Sequence, residues 1–359
     1  MTLDERLALI REVGEEIITE EDLVTLLKSD KELIAYDGFE PSGQIHIAQG
    51  ILRAINVNKM TKAGIKFKML VADWHGWANN KMGGDLEKIQ VTGKYFIEVW
   101  KASGMDLSNV EFVWASDMVK DSNYWKLVLQ ISKTNSIKRF IRTAEIMGRD
   151  ETADLTAAQI IYPCMQCADI FLLGANITQL GMDQRKVNML AREIGAQLGF
   201  WKPVVVSHHM LMGLGKPVDT EGADKTSRTI ALKMSKSKPD TAIYMTDTRE
   251  DIKRKILKAY GPEGDIKENP VLEYCKYILF EAFEKITIER PDKFGGNVIL
   301  YSYKELEQKY ENKEIHPIDL KNTVIDLLDQ LIQPVRNHFE TNEYANDLLK
   351  KVQSYQITR

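Results

Sequence analysis

Cysteine is scarce in this chain: three residues in 359, an odd count that cannot close into a disulfide scaffold. Cys164 and Cys167 form a C-x-x-C, but with no second pair and no nearby histidine couple a structural zinc is not expected. His208 and His209, side by side, read as structural. No apolar run approaches the roughly 18 residues that cross a bilayer. The opening Met-Thr-Leu-Asp-Glu-Arg has neither a signal-peptide core nor the acid-poor character of a transit peptide. The expected setting is cytoplasmic, with no membrane partner. Positive charge is not in excess either, the net charge being -4. A nucleic-acid partner would have to be held by local basic stripes rather than by the field of the whole molecule. There is no G-x-G-x-x-G and no Walker A sequence, which excludes a standard dinucleotide or P-loop site.

What is present is an ordinary globular composition, 44% hydrophobic and 28% charged. The length suits a catalytic domain plus one smaller domain. Residues 1–30 read as one or two amphipathic helices. Apolar runs from Leu33 and at 67–72, 110–115, 175–181 and 204–207 read as strands separated by helical patterns. That alternation predicts an α/β fold, a Rossmann-like parallel sheet with helices on both faces. Ligands of such sheets bind at the carboxyl ends of the strands, where Asp37, Asp73 and Asp117 fall. Residues 81–154 are mostly helical and basic and read as an insertion. The stretch 212–240, rich at its start in Gly, Asp and Thr, is expected to be a mobile loop. From Arg249 the helical period dominates, which sets a first domain at 1–248 and an all-helical second domain at 249–359.

The most informative stretch is Lys-Met-Ser-Lys-Ser at 233–237, read together with a distant segment at 33–49, Leu-Ile-Ala-Tyr-Asp-Gly-Phe-Glu-Pro-Ser-Gly-Gln-Ile-His-Ile-Ala-Gln. In the upstream segment an apolar strand meets a Gly/Pro/Ser turn, and a helix is expected to begin near Gln44. Backbone N–H groups and His46, in the first helical turn, would then point at an anion. Lys233 and Lys236 add mobile positive charge from the second loop. Alone, such a lysine turn is ordinary surface and a histidine near a helix start is an ordinary cap. In this order and context they describe a site for attack on the α-phosphate of ATP with pyrophosphate leaving.

The pair resembles the two signatures of class I aminoacyl-tRNA synthetases. Segments 36–49, 71–80, 162–169, 181–186, 233–237, 291–297 and 316–322 resemble the tyrosyl-tRNA synthetases of eukaryotes and archaea. The resemblance implies that His46, Gln49, Lys233, Ser235 and Lys236 serve the polyphosphate, Gln49 standing where the family ideal has a second histidine. It implies Tyr36 and Asp169 as the pair on a phenol hydroxyl, with Tyr162, Gln166 and Gln184 around an α-amino group. Asp183 would hold the ATP ribose, and Gly38 would let an adenylate lie against bare backbone. His75 and Asn80 are placed at the same pocket. Separating tyrosine from phenylalanine requires a buried polar pair that phenylalanine leaves unpaired, a rule for which this enzyme family is itself the standard example.

For RNA, the resemblance implies Arg142, Arg185 and Lys186 near the acceptor stem. Phe294 would stack on the first anticodon base, with His316 beside it and Asp319 accepting from a guanine edge. The implied substrates are L-tyrosine, tRNA(Tyr) and ATP carrying Mg2+ on its phosphates, with no protein-bound metal. A homodimer is implied as well, and the helical second domain would be the anticodon-binding one.

The residues themselves offer RNA two basic segments: Lys126, Lys133, Lys138, Arg139, Arg142 and Arg149, and Arg249, Lys253, Arg254, Lys255 and Lys258. Such runs are more often solvated helix faces. Three rival readings compete. A tryptophanyl enzyme shares the architecture, but indole offers one N–H and no hydroxyl to Tyr36 and Asp169. A silent RNA-binding paralogue has no need of both His46 and Lys233. A small-molecule nucleotidyltransferase leaves the second domain without a purpose.

Overall fold

The computed structural model describes residues 1–148, 154–217, 225–236 and 238–355. Six strands, β1 (Glu16–Ile18), β2 (Ile34–Phe39), β3 (Lys66–Val71), β4 (Val110–Trp114), β5 (Ile177–Thr178) and β6 (Val204–Ser207), form one sheet in the order β1-β6-β5-β2-β3-β4. Strands β2 to β6 run parallel. Strand β1 pairs antiparallel with β6, a correction to the purely helical reading of 1–30. Three residues, Glu-Ile-Ile, are too few to show a period of two. Of the parallel strands the chain lays down β2 first, adds β3 and β4 on one side and then β5 and β6 on the other. The switch point, where a parallel sheet opens a crevice for ligands, therefore lies between β2 and β5.

The helix Leu86–Ala102 starts on Asp85, whose side chain accepts from the Lys88 N–H, and buries Ile89, Phe96, Val99 and Trp100. It is the crossover that brings β4 alongside β3. Residues 81–154 are thus not one insertion, because their first half completes the sheet. Only the helices from Ala115 onward, Ser122–Ser132 and Ile137–Thr143 among them, lie outside it.

The C-terminal region opens at Arg249, with Thr248 capping the helix Arg249–Lys258. It continues through the helices Pro317–Thr341 and Glu343–Ser354. It is not all-helical: β7 (Ile286–Ile288) and β8 (Val298–Leu300) form an antiparallel ribbon. A strand of three residues flanked by Glu, Lys and Arg gives too weak an alternation to be read from sequence. One apolar cluster runs without a break from Leu7 through Trp100 and Ile256 to Val352, so the two regions share a core. Buried Glu98 of the crossover helix, 2.8 Å from His338, ties them further. Among the described residues no helix is long and apolar enough to cross a membrane.

Candidate active site

A cavity of about 620 Å3 opens at the carboxyl ends of β2 and β5. Its wall brings together Tyr36, Gly38, His46, Gln49, Tyr162, Gln166, Asp169, Asp183, Gln184, Lys233, Ser235 and Lys236. Every residue given a catalytic, tyrosine or ATP role from sequence is on that wall, and so is His75, but not Asn80.

The floor is built by β2 and the helix Ala157–Leu172. That helix begins with a capping box in which Thr156 and Gln159 satisfy each other's backbone N–H groups. It carries Tyr162, Gln166 and Asp169 at spacings of four and three, on one face. Asp169 is fully buried. Its Oδ1 accepts from the Tyr124 hydroxyl at 3.1 Å. Its Oδ2 lies 2.8 Å from His75 Nε2, close enough for charge pairing but without hydrogen-bond alignment. Burial works against charge on His75, yet Asp169 outweighs it and the imidazole pKa is raised. The Tyr36 hydroxyl, beside them, is buried with no partner, and burial followed by the Asp169 charge pushes its pKa up.

Tyr162 meets the His75 ring edge-on at 5.2 Å. Gln166 Nε2 donates to Gln184 Oε1 at 3.2 Å, and Gln184 Nε2 donates to the Ile146 carbonyl at 3.0 Å. Glu40 closes this wall, accepting from Asn79 Nδ2 and pairing with Lys81 at 3.4 Å. Asn80, expected here, is instead exposed in a left-handed turn at φ 57°, and its neighbour Asn79 is the buried one.

The phosphate end departs from expectation in one respect. The helix after the first signature begins at Ile51, not near Gln44, so His46 lies in a turn ahead of it. The backbone of 45–47 is spent elsewhere: Ile47 N–H donates to Ile243 and Met245 N–H to Ile45, both at 2.9 Å. Gly50, where the chain turns, lets the Met245 side chain pack close against the backbone; a Cβ there would force the thioether to shift. His46 Nδ1 and Gln49 Oε1 are buried without partners. Burial, then Lys236 and Lys233, drives the His46 pKa down to about 3, so the ring is neutral. Lys233 Nζ lies 2.6 Å from Asp183 Oδ2. Lys236 Nζ sits 4.7 Å over the Phe96 ring, its pKa drawn down to about 7 by burial and then by Lys81, against Glu40. Ser237 lies outside the described residues, as do 218–224 of the stretch read as a mobile loop. The described part of that stretch contains the helix Lys225–Leu232.

Sequence reasoning missed two supports. Asp37 and Arg53 form a buried pair at 2.6 Å on the cavity wall itself. Burial raises Asp37 to about 6 against the pull of Arg53. An arginine between Leu52 and Ala54 in an otherwise apolar helix face was the available signal. Tyr124 gave none. Asp117, by contrast, is exposed and bonded to Lys120, while buried Asp73 accepts from the Ser116 N–H at 2.9 Å.

The residues named for RNA are spread over the surface. Arg142 is exposed on the helix Ile137–Thr143. Arg185 and Lys186 open the helix Arg185–Gly195, with Arg185 held by Glu16 of β1 at 2.8 Å. Phe294, 61% exposed, lies in the turn between β7 and β8. His316 caps the helix Pro317–Thr341, its Nδ1 accepting from the Ile318 N–H, and Asp319 follows in the first turn. Most of the second basic segment is a solvated helix face: Arg249, Lys253, Arg254 and Lys258 are exposed, and only Lys255 is taken into the interior. Lys255 is buried on Asp247 at 2.6 Å, Arg254 pairs with Asp240 at 2.8 Å and Arg249 with Asp326 at 2.5 Å. In the first segment Arg149 lies outside the described residues, and Lys126, Lys133 and Lys138 are exposed. Among the described residues no cluster of three His, Cys, Asp or Glu side chains is placed to hold a metal. Cys164 and Cys167 are buried free thiols, burial pushing the first up to about 12.

Residues 28–333 match the family model for class I tRNA synthetases (W and Y). Over 99% of this chain and 90% of the relative, the sequence is 49% identical to tyrosine–tRNA ligase 1, cytoplasmic, of Arabidopsis thaliana. The structure matches that of tyrosyl-tRNA synthetase from Pyrococcus horikoshii complexed with L-tyrosine, with a TM-score of 0.91 and 38% identity, over 98% of this chain and 100% of that one. It also matches Leishmania major tyrosyl-tRNA synthetase in complex with tyrosinol, with a TM-score of 0.89 and 44% identity, over 99% of this chain and 61% of that longer one. The chain belongs to the class I tRNA synthetases, in the branch defined by the tryptophan and tyrosine enzymes. Within that branch, these three relatives are all tyrosine enzymes.

Proposed function

We propose that this chain is a tyrosine–tRNA ligase, which activates L-tyrosine with ATP and passes the tyrosyl group to the 3′ end of tRNA(Tyr). The observation that carries the reading is the cavity floor, where the Tyr36 hydroxyl and Asp169 Oδ2 are buried polar atoms with no hydrogen-bond partner. A phenol hydroxyl supplies one donor and one acceptor and satisfies both atoms, whereas phenylalanine satisfies neither. Indole, with a single donor, leaves Tyr36 unserved.

The substrate carboxylate attacks the α-phosphorus of ATP, the bond to the bridging oxygen breaks and pyrophosphate departs. No protein nucleophile is needed, so catalysis is positioning and stabilisation of the charge on phosphorus and the leaving group. Gln166, Gln184 and Tyr162 surround the α-amino group, and Gly38 leaves room for the adenylate. His46, neutral, donates to the phosphates, aided by Ser235, Lys236 and Gln49. Lys233 rests on Asp183; when the ribose engages Asp183, the ammonium turns to the departing pyrophosphate. Magnesium arrives on ATP as part of the substrate. Arg142, Arg185 and Lys186 approach the acceptor stem, and Phe294, His316 and Asp319 read the anticodon. A cytoplasmic setting accords with the name of the Arabidopsis relative. A homodimer belongs to the same reading, on the strength of the family resemblance.

Isotopic exchange of pyrophosphate into ATP tests the reading. It is expected with tyrosine and not with tryptophan, phenylalanine or no amino acid. Exchange that depends on tryptophan, or none at all, overturns it.

A further inference from the structure

His209 lies just beyond β6 and sits between two carboxylates far apart in the chain, Glu15 and Glu273. Its Nδ1 is 2.9 Å from Glu15 Oε2, and its Nε2 contacts Glu273 Oε1. The ring stacks on Tyr277 at 4.2 Å with an interplanar angle of 9°. A neutral imidazole carries one N–H and can serve only one ionised carboxylate, so a histidine bonded to both is the doubly protonated cation. The surrounding charges agree. Glu15 and Glu273 raise its pKa to about 9 against burial, with neighbouring His208 kept neutral by burial and Arg53.

The same Glu273 oxygen accepts from the Met212 N–H at 3.0 Å, and the Tyr274 hydroxyl donates to the Met212 carbonyl at 2.9 Å. Both backbone groups of Met212 are therefore held by the C-terminal helix Pro270–Tyr274. Met212 in turn bridges to Lys233, and the Met234 N–H donates to the Leu211 carbonyl at 2.7 Å. A continuous set of bonds thus runs from the N-terminal segment and the C-terminal region, through His209 and Glu273, to the backbone that carries the polyphosphate lysines.

We propose that His209 is a positioning residue: as an imidazolium clamped by Glu15 and Glu273, it fixes the backbone at 211–213 on which the Lys233 segment is hung. It rests on the proposed ligase activity for its kinetic consequence, but not for its structural one. A shift of the lysines by a fraction of an ångström degrades alignment with the phosphates while leaving the tyrosine floor untouched.

The test is His209→Gln, read in two independent ways. Backbone amide exchange at 211–213 and 233–234 is expected to speed up about tenfold. In tyrosine-dependent pyrophosphate exchange, kcat is expected to fall about tenfold with the KM for tyrosine within twofold. An NMR titration of the wild-type ring is expected to place its midpoint near 9 and to fall by at least about one unit in Glu15→Gln, which removes one acceptor charge. Unchanged amide protection, or a wild-type midpoint near the ordinary 6.5, overturns the clamp. A proportional rise in tyrosine KM overturns the positioning role. If the wild-type chain shows no pyrophosphate exchange, the ligase reading fails while amide exchange and titration still decide the clamp. Should His209→Gln not fold, Glu273→Gln, which keeps an acceptor for Met212 but loses the charge, is expected to move all readouts in the same directions.

Discussion

The cavity and the surfaces assigned to tRNA are built on opposite principles. In the cavity, β2, two signature segments and the helix Ala157–Leu172 place their polar atoms in a buried volume, and several of those atoms have no partner in the protein. Fixed donors in a low-dielectric site are worth far more than the same donors in water, and folding alone positions them. At the C-terminal surface, Phe294 is a largely exposed ring on a short ribbon and His316 is already engaged in capping a helix. Those groups offer faces and edges that an unpaired base would complete by stacking. Activation is therefore expected to be sensitive to single buried atoms, and RNA reading to be shared and graded.

The sharpest way to break that contrast is Lys233→Ala. Removing a charged donor to the departing pyrophosphate is expected to lower the pyrophosphate-exchange kcat by about 10²- to 10³-fold, with tyrosine KM nearly unchanged. A loss confined to KM would move Lys233 out of the chemical step. Next comes Asp169→Ala. It strands the buried Tyr124 hydroxyl, which donates to Asp169, and the substrate phenol, at a cost of about 1–3 kcal/mol, or roughly 10- to 100-fold in tyrosine KM. The ATP KM is expected to move little. Normal tyrosine affinity in this variant would end the phenol assignment.

Burial also gives the cavity a pH signature. His46 is held to about 3 in the folded chain, against about 6.5 unfolded. Its contribution to stability is complete above about 6.5 and is lost as pH falls toward 3, because only the unfolded state takes up the proton in that window. His46→Asn is expected to lose roughly 2 kcal/mol less than the wild type between pH 7 and 5 in urea denaturation. Equal losses would mean that the ring is not kept neutral by its surroundings. At the other pole, Phe294→Ala is expected to lower aminoacylation about tenfold through lost stacking, while pyrophosphate exchange stays at wild type. Equal loss in both assays would make Phe294 a packing residue.

How much of this was legible in the sequence follows the same division. The cavity was readable because its chemistry sits in compact segments whose order and spacing survive in one dimension: the end of β2 at Tyr36 and Gly38, the face of Tyr162, Gln166 and Asp169, and the lysines at 233 and 236. The helix start was misplaced because His46 is held by a bridge to Tyr244, roughly two hundred residues on in the chain, and such a long-range pairing leaves no local period. Tyr124 and the β7–β8 ribbon were invisible for the same reason, and the Asp37–Arg53 pair left only the trace of an arginine among buried helix positions: each is defined by a tertiary partner. The second basic segment is mainly the solvated helix face that such runs usually are; only the burial of Lys255 on Asp247 was hidden, since charge counted along a helix says nothing about an acid packed against it.

The smallest effect is the one that probes the outer limit of the contrast. Arg142 is exposed on a helix outside the sheet, so a phosphate contact there is a single screened charge in a wide interface. Arg142→Ala is expected to weaken tRNA binding severalfold and to reduce the slope of log affinity against log salt by about one. Tyrosine-dependent pyrophosphate exchange is expected to be unaffected, because the residue touches neither the phenol floor nor the phosphate donors. A change in affinity with an unaltered salt slope would show that Arg142 acts through the helix it sits on rather than through a phosphate. A loss of pyrophosphate exchange would place it within reach of the cavity and dissolve the division between the two regions.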